Sequence, residues 1–177
     1  MHYCRERNFV YRNRDAEISA VSCIPQDPTK NFALTIAVGF WTSNHVEILS
    51  LVRRAADGPM PTIASTLALP STPRSLLLYN FTSDISASSI NPHLLIGLAD
   101  GSIASFVYKN DQLLDQKLVS IGSLPVSMRP CRIGTRQTVL ACGSRTTILF
   151  WEKERLTYSP LILKVSEQVV ECDLVTN

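Results

Sequence analysis

The groups in this chain that could do chemistry are three histidines, five cysteines and a scatter of hydroxyls and carboxylates. His2, His45 and His93 lie far apart, in stretches that read as loops or termini. A metal site or a proton relay needs partners at ligand spacing, and none surrounds them. They read as surface residues. Cys4, Cys23, Cys131, Cys142 and Cys172 form no CxxC pair and are odd in number. That pattern suits free thiols in the cytosol or nucleus. Cys23 and Cys142 fall inside apolar strands, where cysteine acts as a small hydrophobe. Ser105 and Ser144 lack a nucleophile-elbow context. Seven scattered glycines supply no phosphate-cradling loop. Glu47 and Asp57 have no carboxylate mate, and a turn role beside Gly101 accounts for Asp100. The chain is therefore expected to be no enzyme, with no catalytic residues, no cofactor and no metal.

Two aromatic pairs point instead to contact. Phe40-Trp41 opens a turn and is the candidate contact surface, because tryptophan and phenylalanine are enriched where proteins bind. Phe150-Trp151 ends a strand and reads as packing between neighbouring units. The basic residues Arg53, Arg54, Arg129, Arg132 and Arg136 read as solvated charges. A net charge of +2 over 177 residues gives no electrostatic footprint for nucleic acid.

The elements that must position these residues recur. Leu34–Gly39, the turn Phe40–His45 and Val46–Leu51 form a first copy of a strand, turn and strand unit. Leu94–Ala99, Asp100-Gly101 and Ser102–Tyr108 form a second. Thr138–Gly143, Ser144-Arg145 and Thr146–Trp151 form a third. The anchoring glycines Gly39, Gly97 and Gly143 are separated by steps of 58 and 46 residues. Propeller repeats run at roughly 40 to 50 residues, one four-stranded blade each. Apolar residues make up 45% and charged residues 18%, which suits many short, packed strands. No helical period persists, so the chain is all-β: a partial β-propeller of about three blades.

The units are expected at about 17–70, 71–122 and 123–165, after a polar lead-in over 1–16. Residues 17–24 alternate as a half-buried strand, and Asp57-Gly58-Pro59 reads as a break. Asn80 to Pro92 reads as a surface loop. Asp100-Gly101 is the strongest hairpin signal and predicts a type I′ turn, with positive φ at both residues. Glu152–Arg155 occupies the place that Lys109–Gln112 occupies in the second unit. Gln168 to Val175 reads as the innermost strand of a fourth unit, begun within 166–177. The N-terminus has no signal-peptide pattern, and no stretch reaches the ~18 apolar residues of a membrane helix.

With these residues placed, a resemblance emerges. Ala37–Leu51 (AVGFWTSNHVEILSL), Leu94–Gly101 (LLIGLADG), Asp111–Gly122 (DQLLDQKLVSIG) and Ala141–Arg145 followed by Thr147-Ile148 resemble, in order, the second propeller of the DNA damage-binding protein 1 family. The large subunit of the cleavage and polyadenylation specificity factor and a splicing factor 3B subunit share that architecture. The resemblance runs from about Glu17 to the end of the chain. It implies a nuclear scaffold, present also in the cytoplasm, that acts as adaptor of a cullin-RING ubiquitin ligase in DNA repair. Its implied partners are a cullin and substrate receptors, with nucleic acid reached only through the full-length parent and no membrane. The paralogues imply the alternative, a nucleic-acid-associated factor of messenger-RNA 3′-end processing or splicing.

Overall fold

The computed structural model describes residues 17–24, 32–54, 58–81 and 92–162. The lead-in 1–16, His2, Cys4, Asp57, most of the loop between Asn80 and Pro92, Cys172 and the fourth-unit strand lie outside the described residues.

Among the described residues, alternating and apolar runs separated by polar turns give twelve strands in three four-stranded antiparallel sheets. Blade 1 holds β1 (Ile18–Ile24), β2 (Thr35–Phe40), β3 (His45–Arg54) and β4 (Gly58–Ala68). Blade 2 holds β5 (Pro73–Tyr79), β6 (His93–Leu98), β7 (Ser102–Lys109) and β8 (Gln112–Ser120). Blade 3 holds β9 (Ser127–Ile133), β10 (Arg136–Cys142), β11 (Thr147–Glu152) and β12 (Arg155–Pro160). Each sheet is a meander in chain order. β5 lies against β1 and β2, and β9 lies against β5, so the first strands of the blades run together. This is the arrangement of consecutive propeller blades.

Two seams hold the blades together. Alternation sends Ala37, Val46 and Ile48 of blade 1 forward onto Leu76, Leu94, Ile96 and Phe106 of blade 2. The other face of blade 2 sends Leu95 and Ile103 onto Met128, Val139, Leu149 and Leu156 of blade 3. Full burial of each such aliphatic side chain is worth roughly 1.5–3 kcal/mol. Polar contacts fix the register of the seams. Ser22 Oγ accepts from the Leu78 N–H at 2.9 Å, and Ser75 Oγ donates to the Val126 carbonyl at 2.8 Å. Tyr79 Oη donates to Gln137 Oε1 at 2.8 Å. Tyr108 Oη of blade 2 donates to Asp111, and burial first, then that bond, pushes its pKa up to about 12.

The blades close alike. The N–H after the last strand of each blade bonds to a carbonyl in the turn after its second strand. These bonds are Leu69 to Asn44, Ile121 to Gly101 and Leu161 to Thr146, each 2.8–2.9 Å. They tie the fourth strand's exit to the second strand's turn.

Several local expectations are corrected. The turn at Asp100-Gly101 is not type I′, because only Gly101 has positive φ (+87°). Its three-residue loop, Ala99 to Gly101, carries an i to i+3 bond from the Gly101 N–H to the Leu98 carbonyl at 3.4 Å. Asp100 Oδ1 accepts from the Ser102 N–H at 2.9 Å. That is a type I-like turn ended by a left-handed glycine, a form three-residue hairpins favour. The paired positive φ values occur at Asn110 and Asp111 (50° and 61°) and at Lys153 and Glu154 (50° and 59°). The correspondence of Glu152–Arg155 with Lys109–Gln112 is thus matched by backbone geometry.

The third anchor also moves. Gly39 pairs with Val46 and Gly97 with Ile103, whereas their counterpart Ile148 pairs with Leu140, three residues before Gly143. The expected break at Asp57-Gly58-Pro59 ends earlier, since Gly58 and Pro59 pair with Arg54 and Arg53 in β4. β4 is an outer strand, where proline N–H groups are not needed. β4 and β8 each carry a bulge, and Asp115 in β8 has φ +52°. Cys23 is exposed on the edge strand β1 rather than packed as a hydrophobe.

Lysine and glutamate carry side chains that disfavour left-handed backbone. Replacing Lys153-Glu154 with Asn-Gly should therefore raise stability by roughly 1 kcal/mol, read as a higher urea midpoint at unchanged slope.

Candidate contact surface

Trp41 follows the last residue of β2, where the chain leaves the sheet for the turn to β3. Its N–H bonds to the Glu17 carbonyl at 2.8 Å, which fixes the backbone at the head of β1. The indole is 39% exposed. Arg74, the second residue of β5 in the next blade, lays its guanidinium 4.2 Å from the ring centroid. Such a cation–π pair is worth about 0.5–1 kcal/mol at an exposed site and holds both side chains in one orientation. No described carboxylate lies within ion-pair distance of Arg74. Asn44 ends the turn with φ +46°, and its Oδ1 accepts from Thr72 Oγ1 at 2.7 Å, joining the turn to the linker before Arg74. The platform is thus built across two blades.

Phe40, the other residue of the candidate pair, is fully buried. Strand alternation turns it from the solvent into a small cluster with Val38 and Leu49. Its ring stacks on His45, centroids 4.5 Å apart. His45 is no bare surface histidine: its Nε2 lies 3.4 Å from Glu47 Oε1. Glu47 thus has a mate in a histidine rather than a carboxylate, and burial raises its pKa.

His93 overturns its surface reading most clearly. It begins β6 and is 7% exposed. It contacts Phe81 edge-on at 5.4 Å and Trp151 of blade 3 at 4.8 Å. Burial, then the Lys117 charge, lowers its pKa to about 4, so the imidazole is neutral at pH 7. Trp151 is therefore part of the seam between blades 2 and 3. Ser105 Oγ lies 2.9 Å from Tyr158 Oη across the same seam. Among the described residues, no group of three or more His, Cys, Asp or Glu is placed to hold a metal, and no helix is long and apolar enough to cross a membrane.

Arg74 is the residue beside the candidate Trp41 that sequence reading did not single out. It is distant from Trp41 in sequence, and only the docking of β5 against β1 and β2 brings the two together.

Antiparallel four-stranded meanders, packed face to face with their first strands together, define a segment of a β-propeller. The family model described as the RSE1/DDB1/CPSF1 second beta-propeller matches residues 5–173, and the chain belongs to that family. It is 31% identical over 151 residues to DNA damage-binding protein 1 of Drosophila melanogaster, covering 84% of this chain and 12% of that protein. It is 31% identical over 156 residues to the protein of the same name in Solanum lycopersicum, covering 87% and 13%. It is 32% identical over 152 residues to DNA damage-binding protein 1a of Arabidopsis thaliana, covering 84% and 13%. The chain thus spans about an eighth of the length of these curated relatives.

Proposed function

We propose that this chain is a non-catalytic protein-interaction scaffold, part of a damage-binding-type adaptor in a nuclear cullin-RING ubiquitin ligase. The observation that carries the reading is the match to the family's second propeller along nearly the whole chain. The relatives named above, damage-binding proteins rather than processing factors, favour this reading over the messenger-RNA one. The contact residue is Trp41, braced by the guanidinium of Arg74. An aromatic ring already held in place loses little rotamer freedom on binding, which suits a hot spot.

Trp41→Ala should weaken capture of a cullin N-terminal region at least tenfold, about 1.4 kcal/mol or more. The unfolding free energy should stay within about 1 kcal/mol of the parent's, since the indole is partly exposed and its partner Arg74 is a surface residue. Titration calorimetry and urea unfolding on the same preparation check both. Unchanged cullin affinity would remove Trp41 from the interface. Submicromolar RNA binding with a steep salt slope would favour the processing-factor reading.

A further inference from the structure

We propose that the open edge of β12 is a docking site for a short extended peptide, added as a further strand of blade 3, whose sequence reads apolar, any, apolar, acidic.

The outer strands of the three blades differ. β4 is bulged at Ala64 and carries Pro59 and Pro61. β8 is bulged around Asp115, which has φ +52°. β12 is regular, pairing with β11 from Glu152 opposite Arg155 to Thr147 opposite Pro160 without a shift. Among the described outer edges, this one keeps the even spacing that an added strand needs. The phase of the ladder decides which groups face outward. The Leu161 N–H bonds to the Thr146 carbonyl, so that opposite pair is hydrogen-bonded inward. Stepping by two along the register, Ser159, Thr157 and Arg155 also turn their N–H and C=O groups to β11. Leu156 and Tyr158 therefore turn theirs to the open edge, where no described strand meets them. Pro160 has no N–H and ends the template on one side, and the tight turn at Lys153-Glu154 ends it on the other. The stretch between takes roughly four residues of guest.

Side chains select the occupant. In an antiparallel addition, each guest residue sits opposite one host residue and on the same face. Leu156 and Tyr158 belong to the apolar cluster between blades 2 and 3, together with Val119 of β8. Guest residues opposite them extend that cluster when they are apolar. Arg155 points to the other face and is exposed. No described carboxylate lies within ion-pair distance of it, because Glu152 across the strand pair is held by Arg136 at 3.5 Å. A guest carboxylate opposite Arg155 answers that charge. A second copy of this chain fits less well. Two β12 strands paired about Thr157 would set Arg155 against Ser159 and leave the cation without a counter-charge.

The test titrates the full chain with a short capped peptide whose core is valine, threonine, valine, glutamate. Opposite Tyr158 and Leu156, the two valines present their N–H groups to β12, while the threonine N–H points away. N-methylation of either valine should weaken binding by about tenfold or more, and N-methylation of the threonine by less than about twofold. The Leu156 and Tyr158 amides should exchange more slowly in the complex. Changing the peptide glutamate to lysine should weaken binding roughly threefold, and Arg155→Glu should restore it. Equal effects of methylating valine and threonine would overturn the proposal. So would protection of β4 or β8 in place of β12, or no binding at millimolar peptide. A doubled mass without peptide, lost in Tyr158→Pro, would assign the edge to a second copy and overturn it equally.

Discussion

Gly101→Val is expected to be among the most destabilising single changes in the chain, on the order of 3 kcal/mol. Two costs combine. At φ +87° a β-branched residue is strained. A Cβ at this position would also run into the Gly122 carbonyl and the Ser123 nitrogen. Those are backbone atoms, so no side chain can swing aside. The site is also a hub, because the Gly101 carbonyl takes the Ile121 N–H that closes blade 2. Asp100→Asn keeps an oxygen for the Ser102 N–H and should stay within about 0.5 kcal/mol. Urea midpoints of both variants, made in a chain containing the complete propeller, check the pair. A Gly101→Val midpoint equal to the parent's would show that the turn relaxes.

The second large effect is an acid-dependent loss of stability set by His93. Its folded pKa, about 4, lies below the ordinary value of 6.5. Between those values the unfolded chain binds a proton that the folded chain refuses. Stability therefore falls as pH drops from about 6.5 to about 4, by roughly 3 kcal/mol at full extent. Glu47 acts with the opposite sign, since its raised folded pKa favours the folded state in acid and loses that contribution as pH rises. Subtracting the profile of His93→Phe from that of the parent isolates the histidine. The difference should be flat above pH 7 and slope through the acid window. Parallel profiles would show that the imidazole is solvated on protonation.

The blades were legible because strand alternation and turn chemistry are local. Leu94–Leu98 and Ser102–Tyr108 announce themselves as strands in any context. The turn between them showed its position but not its type. Asp-Gly suits a type I′ turn, yet three residues rather than two connect the strands, and Gly101 alone takes the left-handed conformation. The paired left-handed geometry fell on Asn110-Asp111 and on Lys153-Glu154, and no propensity would select the second pair. Seam residues were the least legible. His93 is buried because Trp151 comes down on it from the next blade, and Ser105 meets Tyr158 across 53 residues. A separation of 33 residues likewise hid Arg74 from Trp41. Glycine as a repeat marker failed in blade 3, where pairing puts Leu140 in the position of Gly39 and Gly97. A glycine there lets the next strand approach closely.

The bulges in β4 and β8, with the missing N–H groups of Pro59 and Pro61, have a consequence for how the molecule meets its neighbours. An outer strand with a regular ladder of free amides would recruit any extended peptide in a crowded compartment. Here the outer strand of the first blade is bulged and lacks two donors, and that of the second is bulged, so such recruitment finds no continuous template on either.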